Sequence, residues 1–531
     1  MTTTNWFKNN CPQVLLFGIF IAFFILKSPY FDVHYFWDEA WVYGPAVDNL
    51  LNNGFGDKWI IREDLTRGHP VFFHLVIVSI SMLLGSSVWS NHIAATLIAI
   101  GVSLSIYLIV AHFTSRIMGL LAAIALLMQS AFFSQSALVL PEVLLAGLII
   151  LSLYYYSVKL FWYSALFASL AMLTKESAGM LFVAVGIYEL GMLVLSTSDD
   201  TIKNRINRLL ILASGTVPFF LFLAYQKFKL GYFLYPEHLG MINFELNNFK
   251  YLYKLIYDFV FEEQGRYYFV YAIFISISFL SILNWKKKIL LFLIGLTAVK
   301  VFFHMWATPD YMALPLSALL VILFLKFGLI DLFKSYNSKE SKRINEQAFL
   351  LILATFSFVY FLFCSVNFFT LRYTLPLLVI VSIWLPIFLH SYTALSKPII
   401  IIGVLLLMIP MMKFTINPTD GLGDVNPNYL HALQAQKSLG KHIVDTDIKE
   451  ASFHANFTNQ MALNNIATKM VTEETQVEDI NRFSPNKKDF VIHSNFDERL
   501  NLDTINLADT VATFIHKTAR IDLIKIKPQQ P

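Results

Sequence analysis

Apolar runs of roughly 20 residues recur from Pro12 to Lys413, and this recurrence leaves few folds open. The hydrocarbon core of a bilayer holds no water to satisfy a free N–H or C=O. A chain with many such runs must therefore close its backbone hydrogen bonds within transmembrane helices. Composition agrees: 56% of the 531 residues are hydrophobic and 14% charged. The expected class is an α-helical polytopic membrane protein with about 13 transmembrane helices. The first run, Pro12 to Lys27, lacks a small-residue cleavage site after a short apolar stretch, so it reads as a retained helix. Cys11 and Cys364 form no CxxC or zinc-knuckle spacing. Neither a Walker A loop nor a GxGxxG is present, and no nucleic acid is expected as a partner.

Topology turns on Val71 to Leu84, which at about 14 residues is short for a span. If it does not cross, then Arg116, Lys159, Lys203/Arg205/Arg208, Lys286–Lys288 and Lys334/Lys339/Lys342/Arg343 all fall on the side of a cytoplasmic N-terminus. Counted as a span, it would send every one of these basic loops outside and separate Asp38 from Glu142. The segment is therefore expected to lie in, or dip into, the outer leaflet. The outer face then carries a first loop (28–90), Gln135 to Glu142, Thr174–Glu176, a long loop (226–266), Thr370–Arg372 and all that follows Lys413. Residues 1–413 form the expected transmembrane domain. Residues 414–531, richer in Asn, Asp, Lys and Thr, form a small α/β extracytoplasmic domain with a helix over Tyr429–Lys441 and strands at Asp489–Ile492 and Ile521–Ile526.

Polar groups converge on that face. Asp38 and Glu39 are adjacent carboxylates among aromatics, placed where an ionised group can meet a lipid headgroup; equally, they could cap the helix that follows. Glu142 after Pro141 suits the positive end of a helix dipole, or a second carboxylate facing Asp38. Two such oxygen ligands beside a phosphate would suit a divalent cation, Mg or Mn, with Zn favoured if His69 or His238 joined them. Lys175 is either a snorkelling lysine paired with Glu176 or a cation for a lipid phosphate. Arg372 before Tyr373 is suited to bidentate phosphate contacts. His69, Arg266 and His238 are further candidates for the same pocket, although a loop histidine is more often simply hydrated.

With Asp38-Glu39, His69-Pro70, Arg116 with Gly119, Pro141-Glu142, Leu173-Thr174-Lys175 and Arg372-Tyr373, the chain resembles the GT-C membrane glycosyltransferases. Within these it resembles the branch of protein O-mannosyltransferases and lipid A aminoarabinose transferases. The resemblance spans Pro12 to about Lys413. It implies an inverting transferase that moves a hexosyl or pentosyl group from a polyprenyl-phosphate donor to a lipid, glycan or protein acceptor. It also implies catalytic roles for Asp38, Glu39 and Glu142, with Asp38 as base or metal ligand. Donor-phosphate binding would fall to His69, Lys175, Arg266, Arg372 and Tyr373, and metal ligation to Asp38, Glu142 and His238. Glu142 stands where relatives usually carry Asp, and Gly68-His69 replaces the Glu-Lys of the aminoarabinose branch. The implied location is a bacterial inner membrane, with the site on the periplasmic or extracellular side. The rival class, a transporter or flippase, predicts charges in mid-span. Only Glu189 and Lys300 interrupt the apolar runs, and both lie near span ends.

Overall fold

The computed structural model describes residues 3–53, 67–195, 201–236, 240, 242–266, 341–367, 370–392, 397–418, 423–446, 448, 451–464, 470, 477–479, 490–496 and 507–526. Among them, six helices are long and apolar enough to cross a membrane: Cys11–Tyr30, Val88–Phe113, Glu176–Leu193, Ile344–Val366, Leu371–Ser391 and Lys397–Ile416. Ile202–Ser214 and Val217–Leu230 make a seventh if counted as one span bent by 41°. The bend falls where Gly215 packs against the Ala165 carbonyl, too close for a Cβ, and Pro218 follows. The expected spans Tyr267–Leu283, Ile289–Trp306 and Tyr311–Ile330 lie outside the described residues. The apolar helices turn large side chains outward, with Phe17 67% and Leu190 63% exposed. Such surfaces belong against lipid, so this is an integral membrane protein.

The run expected as one span over Ile117–Ser134 is broken into Arg116–Leu127 and Ser130–Gln135. At the break, the Gln129 side-chain amide donates to the Leu378 carbonyl (3.0 Å) and to Ser382 (2.9 Å), and Thr415 donates to the Met128 carbonyl (2.8 Å). Neighbouring helices thus supply the hydrogen bonds that a broken helix at this depth requires. Gly119 lets the first piece approach the Tyr107 carbonyl, which would lie 2.5 Å from any Cβ.

Phe72–Leu84 is a helix of 13 residues, about 20 Å long against a hydrocarbon core of about 30 Å. His69, just before it, pairs with Glu176. Near its end, Ser81 donates to Asn91 (2.6 Å), whose amide reaches Tyr35 and Asp48. Tyr43 stacks on His74 within the helix. Its N-terminal part thus meets the segment that follows the first helix through Tyr43, and its C-terminal end reaches that segment through Asn91.

The Lys397–Ile416 helix runs three residues past the expected boundary at Lys413. Beyond it, a helix at Tyr429–Asp445 covers a five-stranded sheet. The strands are β1 (Phe453–Ala455), β2 (Val477–Asp479), β3 (Phe490–Ser494), β4 (Leu507–His516) and β5 (Ala519–Ile526), in the order β2-β1-β3-β5-β4. β1 is parallel to β2 and β3, while β5 is antiparallel to β3 and β4. Leu439, Ile443, Phe453, Ile492, Ile521 and Leu523 form its core. The fold is thus a polytopic helical bundle with a small mixed α/β unit near the C-terminus. The expected helix and both expected strands are present there.

Candidate active site

The segment after the first helix makes a tight approach to the site. Trp37 takes a left-handed backbone (φ 53°), uncommon for a bulky residue. Its carbonyl accepts from the amides of Ala40 (2.8 Å) and Trp41 (3.3 Å). A π-helical turn over Glu39–Tyr43 follows. That geometry sends the adjacent carboxylates of Asp38 and Glu39 to different places.

Asp38 points to Arg372, which rises from a 3-10 turn at Leu371–Thr374. The buried guanidinium holds three carboxylates, one on each nitrogen. Nη2 donates to Asp38 Oδ2, Nη1 to Asp424 Oδ2 at 2.5 Å, and Nε to Glu142 Oε1 at 3.2 Å. Lys175 also donates to Glu142 Oε1 (2.8 Å), with its ammonium 3.7 Å from the centre of the Tyr373 ring. Glu142 Oε2 is buried and accepts no bond among the described residues. Two cations thus face three carboxylates. Burial pushes the Asp424 carboxyl above its ordinary range despite Arg372, with Glu142 and Asp38 adding to the rise. Burial alone would lower Lys175, but Glu142 outweighs it, and the ammonium is held charged above its ordinary range.

Glu39, expected among the catalytic groups, is instead built into the scaffold. Its Oε1 accepts from the Val139 amide (2.7 Å) and bonds His92 Nε2 (2.9 Å), and its Oε2 accepts from the Phe36 amide (3.0 Å). One buried carboxylate therefore ties the Asp38 segment to the strand of chain leading into Glu142. His69 is not among the groups around Arg372. It pairs with Glu176 (3.0 Å) and stacks on Tyr43. Arg266 is buried over the Phe259 ring, bonding the Phe259 carbonyl and Gln264 (2.6 Å). It joins no carboxylate of the cluster by any described bond. His238 lies outside the described residues.

Two participants escaped the sequence reading. Asp424 comes from the segment between the Lys397–Ile416 and Tyr429–Asp445 helices, which is stitched to the helix pieces near Glu142. Gln135 donates to the Asp424 carbonyl (2.7 Å), and Tyr429 to the Ser134 carbonyl (3.3 Å). Only its place in a Gly-Asp-Val-Asn-Pro turn sequence hinted at a fixed position. Tyr43 is the other. Burial, then Glu142, raises its phenol well above its ordinary range, so it stays neutral beside the cluster while its ring stacks on His69.

Among the described residues, no group of three metal-ligating side chains is present. Asp38 and Glu142 do not face one another across a gap but share Arg372, and Glu142 also carries Lys175. Organic cations stand where a shared divalent cation was expected, and this geometry does not fit one.

A helical membrane bundle thus gathers a cluster of acids and bases near the ends of several apolar helices. Residues 68–229 match the family described as dolichyl-phosphate-mannose-protein mannosyltransferase. The fold matches ArnT from Cupriavidus metallidurans bound to undecaprenyl phosphate, at 14% identity and a TM-score of 0.50, over 99% of this chain and 100% of that one. The apo form of that protein matches at 13% identity and 0.49, over 96% and 99%. The archaeal oligosaccharyltransferase AglB from Archaeoglobus fulgidus matches at 11% and 0.45, over 88% and 64%. No curated protein gives a match. The GT-C resemblance drawn from the motifs holds at the level of the fold.

Proposed function

We propose that the chain is an inverting membrane glycosyltransferase that takes a hexosyl or pentosyl group from a polyprenyl-phosphate donor. The acceptor is a lipid, glycan or protein. The observation that carries this reading is the placement of a part-exposed carboxylate, Asp38, beside buried Arg372 and Lys175 at the ends of apolar helices. A lipid-linked phosphate can enter such a site from the bilayer while its sugar meets an acceptor from water. The similar ArnT structure, bound to undecaprenyl phosphate, supports this donor class. The site lies on the outer side of a bacterial inner membrane, in keeping with the basic loops expected on the other side.

In the reaction, the acceptor's O–H or N–H gives its proton to Asp38 as its oxygen or nitrogen bonds to the anomeric carbon. The bond from that carbon to the phosphate oxygen breaks, and the electron pair leaves with the lipid phosphate. Arg372 and Lys175 stabilise the charge that develops there. A single displacement inverts the anomeric centre. No step needs a metal ion.

The test is transfer by the full chain in nanodiscs, supplied with polyprenyl-phosphate sugars and envelope glycolipids or proteins, read by mass spectrometry. Product is expected with wild type and lost with Asp38→Asn. An Asp38→Asn protein that turns over near the wild-type rate would overturn the assignment.

A further inference from the structure

Every side-chain nitrogen of Arg372 already donates to a carboxylate, since Asp38, Asp424 and Glu142 take one each, and two of its five N–H groups are left over. A phosphate bound through the fork of a guanidinium needs two parallel N–H···O contacts. Either fork of this guanidinium uses nitrogens that already serve carboxylates, so a donor phosphate competes with one of them for Arg372, and the three are not held alike. Glu142 is buried and also bonded to Lys175. The Asp424 side chain is 12% exposed, and the segment around it is pinned: Gln135 donates to its carbonyl, while Ser130 and Gln264 each donate to the Val425 carbonyl at 3.3 Å. The Asp38 side chain is 37% exposed and sits next to the strained Trp37 backbone. An ion pair open to water is worth the least and is the first to yield.

We infer that the donor phosphate takes the place of Asp38 on Arg372, so that donor binding frees Asp38 to act as base, while Asp424 remains as the positioning residue that holds Arg372. This rests on the donor class proposed above. While Asp38 Oδ2 accepts from Arg372, the ion pair holds the carboxylate toward the guanidinium and not toward an acceptor. Once phosphate replaces it, the carboxylate turns to the acceptor at the moment an activated sugar is present. The order of events is donor first, acceptor second, and water meets an engaged base while the site is without donor.

The experiment measures binding of undecaprenyl phosphate to the full chain in nanodiscs. Removing a competitor that holds Arg372 in about nine-tenths of the free protein tightens the apparent Kd about tenfold. Asp38→Asn is therefore expected to bind more tightly than wild type, although it loses most of its transfer activity. Asp424→Asn is expected to bind several-fold more weakly (on the order of threefold or more), because an unanchored arginine must be ordered by the ligand. Asp424→Glu is expected to restore binding. Each variant is first checked for folding by its gel-filtration profile and thermal midpoint. If Asp424→Asn does not fold, Asp424→Ser carries the test in its place, with binding weakened several-fold as the expected outcome and unchanged binding overturning the positioning role. If wild type binds no polyprenyl phosphate, the donor class itself is wrong. If it binds and Asp38→Asn binds no more tightly, displacement is wrong and the donor class stands. If Asp424→Asn tightens binding as Asp38→Asn does, Asp424 is a second competitor and not a positioning residue.

Discussion

Two buried ion clusters in this bundle are assembled in contrasting ways. Around Glu189, Tyr156 donates at 2.6 Å, Arg205 at 2.8 Å, and Arg208 through Nε and Nη2 at 3.1 and 3.0 Å. Both carboxylate oxygens are doubly satisfied, and the residues span only 156 to 208. Around Arg372, the partners come from positions 38, 142, 175 and 424, the acids outnumber the bases, and one Glu142 oxygen stays without a described partner. Glu189 lies roughly 20 Å along the helical rise from Glu176, so the two clusters sit toward different ends of the bundle. A saturated cluster of neighbours in the chain resists change and locks helices together. An unsaturated one drawn from distant segments leaves groups able to exchange partners, as chemistry requires. The lock also accounts for Glu189 without any substrate path through the membrane.

The largest expected effect sharpens this contrast on the Arg372 side. Asp38→Asn should lower transfer by about 10²–10⁴-fold, as loss of a general base does, with little change in thermal midpoint. Turnover assays beside melting curves check both halves. On the other side, Glu189→Gln leaves two arginines short of a buried partner. It should destabilise the protein by about 3–5 kcal/mol while the rate per folded molecule stays within about twofold. A large loss of rate without loss of stability would erase the proposed division between the clusters.

A third expectation concerns the link between the first loop and the C-terminal unit. His34 Nε2 bonds Gln436 Oε1 at 3.1 Å. Burial lowers the imidazole to about 4, against the Gln436 bond that raises it, with Lys437 adding to the fall. The unfolded histidine titrates near 6.5, so the stability of burying a neutral imidazole is complete above that pH and is lost as pH falls toward about 4, where the buried ring must take up charge. The loss amounts to about 3 kcal/mol across that window. His34→Gln should flatten the pH dependence of the thermal midpoint between about 6.5 and 4; an unchanged slope would place the titration elsewhere. The smallest effect is expected from exhaustive chelation, which should change transfer by less than about twofold because Arg372 and Lys175 already bear the charge of the leaving phosphate. A larger loss, restored by Mg or Mn, would return Asp38 and Glu142 to metal ligation.

Much of this arrangement was legible in the chain. Long apolar runs specify membrane helices because no other structure satisfies the backbone in hydrocarbon, and the shortness of Val71 to Leu84 together with the parity of the basic loops gives the expectation that it does not cross. The same parity brought Asp38, Glu142, Lys175 and Arg372 to one face, where the structure joins them. Local sequence had no means to separate Asp38 from Glu39. They are chain neighbours of like charge, and a left-handed Trp37 with one π-turn sends the first to Arg372 and the second to His92 and Val139. Nor did it single out Asp424, one acid among several in a polar tail, which acquires its role only when Ser130, Gln135 and Gln264 fasten that segment beside Arg372. Hydrophobic pattern is a property of consecutive residues and determines which segments enter the membrane. Which buried charge meets which depends on contacts between segments up to hundreds of residues apart, and those exist only once the helices have packed.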